Sequence, residues 1–267
     1  MPPEPLVTTT DHRLPQVFSA VRRPVVRDIG AGEQMPADDL AGYLATGESA
    51  LKAIRLALLA ARVPEPRSIL DLPCGHGRVM RWLAAAFPDA RLTACDLLPD
   101  GVAFCAETFG ARAIDSVAAP TPELFGEQYD LIWVGSLFTH IDVAAWDHFL
   151  SLFGSILAPG GVLVFTTHGE LVAARMRHGA LYGYPQPSVE RLLRTYAHAG
   201  FGFLEEHPAQ IDYGITLARP AWVVDRVGRV GDLRVALYTE ALWANHQDVV
   251  AAVKGRLEPT VAESPFT

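Results

Sequence analysis

The sequence predicts a doubly wound α/β fold: a mostly parallel sheet with helices on both faces, an antiparallel last strand and an inserted cap. Three observations carry that reading. Apolar, strand-like runs alternate with helix-period segments from "SILDL" (68–72) to "VLVFTTH" (162–168), the rhythm of a parallel sheet with crossover helices. The runs "DLIWV" (130–134) and "VLVF" (162–165) are nearly continuous in apolar residues, as strands buried on both faces must be. Finally, "ILDLPCGHGRV" (69–79) bends through two glycines between the first strand and a helix, at the strand end where open α/β sheets receive ligands.

Taken in order, residues 1–35 are rich in Pro, Thr and charge without a period, and are expected to form a loosely held N-terminal arm. In the stretch 37–63, Leu40, Tyr43, Leu44, Leu51, Ile54, Leu58 and Leu59 recur at helical spacing, and Gly47 is expected to break the run into two helices. The first strand and the glycine turn follow. "VMRWLAAAFP" reads as a helix stopped by Pro88, "ARLTACDL" as a strand, and "DGVAFCAETFG" as a helix ended by Gly110. "ARAIDS" and "YDLIWVGSLF" are the third and fourth strands. The helix "DVAAWDHFLSLFGSIL" leads through "PGG" to the fifth.

Beyond His168 the rhythm is lost. Residues 169–218 contain a helix, "SVERLLRTYAHAG", a loop, "LYGYPQPS", and a strand-like stretch, "FGFLEEHPAQIDYGITLA"; they read as an inserted cap. "RPAWVVDRVG" returns to helix. "LRVALYTEALW" and "QDVVAAVK", joined by a short link, read as an antiparallel pair at the sheet edge. The expected organisation is an arm (1–35), a core (36–168 and 219–255), a cap or substrate region (169–218) and a tail (256–267).

Bulk properties narrow the function. Half of the 267 residues are hydrophobic and 19% are charged, which excludes a disordered chain. A net charge of −8 without a basic tract argues against a nucleic-acid partner. The longest apolar runs fall far short of the roughly 20 residues that span a bilayer, and "MPPEPLVTTTDHR" lacks the apolar centre of a secretory leader. Three cysteines, Cys74, Cys95 and Cys105, show no metal-type spacing and suit a reduced compartment. The expectation is a cytoplasmic protein with a small-molecule partner, no membrane and no metal.

Gly75 and Gly77 let backbone N–H groups approach a ligand, because no Cβ intervenes, and the next helix points its positive end the same way. A tight turn with nothing bound is the competing, less favoured reading of the glycines in isolation. Asp96 sharpens the reading: it ends the second strand 21 positions after Gly75, where a carboxylate accepts the hydroxyl protons of a ribose. Two nucleosides fit, NAD and S-adenosylmethionine. NAD calls for a small residue where Met80 stands, and Asp71 at the first strand's tip repels a pyrophosphate but suits an ammonium group.

Together, "ILDLPCGHGRV", "LTACDL", "AIDS", "YDLIWVGSLFTHID" and "LAPGGVLVFTTHG" resemble a class I S-adenosylmethionine-dependent methyltransferase over most of residues 66–169. "YLATGESALKAI" and "WANHQDVV" resemble bacterial members of that family. The resemblance implies a Rossmann-like seven-stranded sheet, S-adenosylmethionine as cofactor and methyl transfer to a small-molecule or sugar acceptor, on oxygen or nitrogen. It implies that Asp71, Cys74, Gly75 and Gly77 line the methionine end, and that Asp96 holds the ribose with Leu97 against the adenine. Asp115 and Ser116 then face the adenine and its amino group, Gly135 and Ser136 lie under the sulfonium, and Tyr43 closes over the amino-acid moiety. The family usually has Gly at Pro73, where proline removes a donor and fixes φ. The alternatives are an NAD-dependent oxidoreductase and a catalytically silent partner subunit of the same fold.

His140 in "FTHID" and His168 in "TTHG" are the candidate general bases, since an imidazole titrates near neutrality. The competing readings are a helix cap or packing residue for His140, and a backbone-bonded strand end for His168. Tyr182, Tyr184 and Tyr213 are candidates for the walls of a substrate pocket, or for the cap's own small core. Trp243 and His246 are expected to orient the final strands. His140, Asp142, Asp147 and His148 lack the spacing of a metal site.

Overall fold

The computed structural model describes residues 16–33, 35, 39–205 and 214–255. In chain order its elements are α1 (Leu40–Ala61), β1 (Ser68–Asp71), α2 (Met80–Ala86), β2 (Arg91–Asp96), α3 (Pro99–Phe109), β3 (Arg112–Asp115), α4 (Pro122–Phe125), β4 (Tyr129–Val134), α5 (Val143–Ile156) and β5 (Leu157–Thr167). They continue with α6 (Glu170–Arg177), α7 (Gln186–Ala199), β6 (Phe201–Glu205), β7 (Gly214–Ala218), α8 (Pro220–Gly228), β8 (Leu233–Trp243) and β9 (Gln247–Lys254).

Seven strands form one sheet in the order β3-β2-β1-β4-β5-β9-β8. The first five are parallel; β9 runs antiparallel to both β5 and β8. The last strand is therefore inserted beside β5, and β8 takes the edge. Successive strand residues point to opposite faces, and both faces are apolar. Ile69, Leu131, Val162 and Val249 enter one core with α1, α2 and α3. Their neighbours Leu70, Ile132, Leu163 and Val250 enter the other, with α5 and α8. This is why the strands read as unbroken apolar runs.

α1 is one continuous helix, contrary to the break expected at Gly47. A Cβ there would collide with the carbonyl of Arg78 and lie 2.5 Å from the Trp82 ring, so the glycine serves close packing on the glycine turn. Asp39 caps the helix, its carboxylate accepting the N–H of Gly42. The described part of the N-terminal arm is pinned rather than loose. Arg81, 1% exposed, donates to the carbonyls of Val26 (2.9 Å) and Asp28 (3.0 Å) as well as to Gly77. The N–H groups of Arg22 and Arg23 donate to Ala85.

The cap consists of α6, α7 and the antiparallel pair β6–β7, around a small core of its own that includes Val172, Leu192, Tyr196 and Leu217. It contains one helix more than the sequence reading, because α6 is short and buries only Val172, Ala173 and Met176. β7 is stitched to the main sheet: the N–H groups of Gly214, Thr216 and Ala218 donate to the carbonyls of His140, Thr139 and His168. The cap thereby sits over the carboxyl ends of β4 and β5. No helix among the described residues is long and apolar enough to cross a membrane.

Candidate functional site

The strand order reverses between β1 and β4, and at that switch point the loops diverge to leave a cleft. A cleft of about 490 Å³ opens beside it, lined by Thr46, Arg78, Ser136, Trp243 and Gln247 on the sheet side and by His140, His168, Tyr182, Tyr184, Ile215 and His246 toward the cap; Asp71, Cys74, Gly75, Asp96, Leu97, Asp115 and Ser116 are not among its lining residues.

At the tip of β1, Asp71 is 1% exposed, and neither carboxylate oxygen has a hydrogen-bond partner among the described residues. Burial, reinforced by the nearby Asp96 carboxylate, pushes its pKa well above the ordinary 3.8, while Arg78 pulls it back. The turn that follows is built around Asp96. One Asp96 oxygen accepts the N–H of Gly75 at 2.7 Å and the other that of Leu98 at 3.1 Å, and the carbonyl of Asp96 accepts the N–H of Ser116.

The two glycines serve different ends. Gly75 has φ +49° and open space where a Cβ would project, whereas a Cβ on Gly77 (φ +77°) would press on the Phe109 ring at 2.5 Å. Gly75 faces open space; Gly77 is needed for packing on α3. Pro73 follows a cis peptide bond, and the turn forms around it. Cys74 and Cys105 are buried beside each other, and this contact and burial push the Cys74 thiol far up, leaving it no nucleophile. Leu97, 61% exposed, and the exposed Val117 follow the paired ends of β2 and β3, where Asp96 lies opposite Asp115.

Tyr43 is buried, and its hydroxyl donates to Glu33 at 2.8 Å. Its hydroxyl is thereby tied to the N-terminal arm. Its ring backs Arg78, whose guanidinium lies 6.0 Å from it and 5.5 Å from the Trp243 ring. Gly135 packs under Trp133 and Trp243, while Ser136 reaches the cleft in the left-handed region (φ 64°), a conformation that concentrates at functional sites. Thr166 accepts its N–H and Thr139 donates to its carbonyl; Gln247 donates to its hydroxyl oxygen at 2.9 Å.

Nδ1 of His140 lies 2.6 Å from the carbonyl of Gly214. A carbonyl only accepts, so Nδ1 carries the proton and Nε2 is the basic nitrogen of the neutral ring. His168 is 5% exposed. Burial, with His246 and His140 nearby, lowers its pKa to about 3 against a raising backbone hydrogen bond with Thr216. The same burial favours the neutral ring. Tyr182 and Tyr184 both line the cleft and pack against the cap's core; Tyr213 lies outside the described residues. Asp147 pairs with Arg226 and His148 bonds the carbonyl of Pro120, away from the cleft.

Sequence reasoning missed Arg78, Gln247 and the cleft position of His246. Arg78 had one available signal, since it follows Gly77 at the mouth of a helix. Gln247 and His246 had a topological one: an antiparallel last strand brings its start, not its end, to the ligand side of the sheet.

Fold and cleft define a doubly wound α/β protein with a cleft beside the strand-order switch. A family model described as a methyltransferase domain matches residues 70–163. The chain is 34% identical over 185 residues to the trans-aconitate 2-methyltransferase of Streptomyces avermitilis, covering 62% of this chain and 58% of that one. It is 31% identical over 201 residues to the trans-aconitate 2-methyltransferase of Methylobacterium radiotolerans, covering 65% and 72%. An S-adenosylmethionine-dependent methyltransferase structure from Clostridium acetobutylicum shares the fold with a TM-score of 0.56 at 12% identity, covering 83% and 95%. The chain belongs to the class I S-adenosylmethionine-dependent methyltransferase family. It spans little more than half the length of the Streptomyces relative.

Proposed function

We propose that the protein transfers the methyl group of S-adenosylmethionine to a hydroxyl oxygen of a small-molecule acceptor. The observation that carries this reading is Asp71. A buried carboxylate without a partner costs of order 1–3 kcal/mol or more, and an ammonium group seated on it removes that cost. S-adenosylmethionine supplies such an ammonium group together with a methyl carried on sulfonium.

The chain's residues do the rest. Asp71 takes the ammonium and Arg78, held between Tyr43 and Trp243, takes the adjoining carboxylate. Asp96 has lone pairs left for ribose hydroxyls after binding Gly75 and Leu98. Leu97, with Asp115 and Ser116, covers the adenine; Gly135 and Ser136 lie beneath the sulfonium. Transfer in line then depends on orientation at about 3–3.5 Å and on exclusion of water by the cap. His140, its Nδ1–H fixed by Gly214, receives the acceptor's proton on Nε2. The cleft's volume suits a small acceptor, as do the names of the two relatives. A carboxylate such as trans-aconitate needs no base, so the hydroxyl assignment comes from His140 rather than from those names.

Calorimetric titration with S-adenosylhomocysteine tests the reading. The folded protein is expected to take it up, and Asp71→Leu to lose most of the affinity. No uptake by the wild type removes the proposal, whereas uptake without methylation across a panel of hydroxyl compounds favours a silent binding subunit.

A further inference from the structure

Beyond the ends of β4 and β5, a closed ring of hydrogen bonds joins Ser136, Thr166 and Gln247. The Ser136 N–H donates to Oγ1 of Thr166 at 2.8 Å, Thr166 donates to Oε1 of Gln247 at 2.6 Å, and Nε2 of Gln247 donates to Oγ of Ser136 at 2.9 Å. Thr166 is fully buried, whereas Ser136 and Gln247 are half-buried and line the cleft.

The direction of each bond in the ring is fixed. A backbone N–H only donates, so Oγ1 of Thr166 accepts from Ser136 and places its own proton elsewhere. Its 2.6 Å separation from Gln247 is an O–H···O length, shorter than an N–H···O bond. The amide oxygen therefore faces Thr166 and the amide nitrogen faces Ser136. Oγ of Ser136 accepts from that nitrogen, which leaves the serine's own proton over, together with the second N–H of Gln247. Neither has an acceptor among the described residues. The cleft thus offers two donors side by side. No Asp or Glu among the described residues lines it, in a chain whose net charge is −8.

We propose that Ser136 and Gln247 form a subsite for a carboxylate of the acceptor, beside the hydroxyl that His140 deprotonates, so that the preferred acceptor is a hydroxy acid. The Ser136 hydroxyl and the Gln247 amide each donate to a carboxylate oxygen, and bonds to an ionised acceptor are roughly twice as strong as those between neutral groups. The cofactor leaves both protons free, because a sulfonium is a cation and repels the positive end of an O–H or N–H. An ammonium on the acceptor is rejected for the same reason.

The inference rests on the proposed methyltransferase reading, so uptake of S-adenosylhomocysteine is measured first, and acceptors are compared only in protein saturated with it. The probes are salicylate and 2-hydroxybenzyl alcohol, which share a ring and a phenolic hydroxyl and differ by a carboxylate against a hydroxymethyl group. The wild type is expected to bind salicylate about tenfold more tightly, the worth of one good hydrogen bond to a charged group. Salicylate alone should shift the side-chain amide resonances of Gln247 in protein carrying ¹⁵N-labelled glutamine. Gln247→Met removes the amide without adding charge, and Ser136→Gly removes the hydroxyl at a φ of 64° that glycine adopts freely; each should lower the ratio. Gln247→Glu accepts from Ser136 and turns the donor pair into acceptors, which should reverse it. Equal binding, binding of neither probe, Gln247 resonances unmoved by salicylate, or a ratio that survives either neutral variant, as attraction to Arg78 alone would give, overturns the subsite. Failure of the wild type to take up S-adenosylhomocysteine counts against the methyltransferase reading instead.

Discussion

At the scale of single residues, the strand ends hold buried polar groups whose burial weakens the fold. Asp71 is the plainest. Because burial raises its pKa in the folded chain, the folded state retains a proton that the unfolded state releases above the ordinary carboxylate value. Stability is therefore lost as pH rises from about 4 through the folded pKa, and stays lower beyond it. Asp71→Asn should raise the unfolding midpoint of the ligand-free protein at pH 7–8, by the equivalent of about 1–3 kcal/mol, while weakening S-adenosylhomocysteine binding. Thermal melts at several pH values check this, and a lower midpoint for the variant at pH 8 would refute it. His140 acts on rate rather than stability. Replacing it with Gln should reduce kcat for a hydroxyl acceptor by about 10²–10⁴ and abolish the acid limb of the pH–rate profile; an unaltered profile rules it out as the base.

At the scale of elements, helix propensity and packing make opposite predictions for α1. Exchanging a mid-helix glycine for alanine ordinarily gains about 1 kcal/mol. At Gly47 the new methyl meets the backbone carbonyl of Arg78 and the Trp82 ring, and a carbonyl has no rotamer by which to move aside. Gly47→Ala should therefore destabilise, by about 1–3 kcal/mol, and displace Arg78 enough to weaken S-adenosylhomocysteine binding; a more stable variant with unchanged affinity defeats the argument. The same site shows where sequence reading ends. Periodicity identified α1, the parallel strands, the glycine turn and the two strand-end histidines, because each is a local pattern of polarity. It misread Gly47 and the hold on the described part of the arm, because both are set by partners distant in sequence. Arg81 holds the arm across 55 positions to Val26, and nothing in "VMRWLAAAF" marks an arginine that will be fully enclosed. Short elements escaped for another reason: α4 has four residues and α6 eight, too few for a helical period to stand out.

At the scale of the whole molecule, core, edge strand and cap converge on Asp248 at the start of β9. It is fully buried, accepts from the Tyr238 hydroxyl at 2.6 Å and the Ala241 N–H at 2.9 Å in β8, and lies against Gly169 at the entrance to the cap, where a Cβ would strike its carboxylate. Burial raises its pKa from 3.8 to about 6, the two hydrogen bonds opposing only in part, and Glu240 and Glu170 push it further up. The folded pKa exceeds the unfolded one, so this seam is strongest when Asp248 is protonated and loses up to about 3 kcal/mol as pH rises from 4 through 6. Asp71 titrates in the same direction, which makes the wild-type curve alone ambiguous; the difference between wild type and Asp248→Asn isolates the seam. That difference should be smallest near pH 4, grow in favour of Asn up to about pH 7 and then level off. Because Asp248 joins all three parts, hydrogen exchange in β7 and α6 should slow in the variant above pH 6 along with exchange in β8. Slowing confined to β8 would mean that the cap is held by its own stitching to residues 139–141 and 168, independently of the buried carboxylate beneath it.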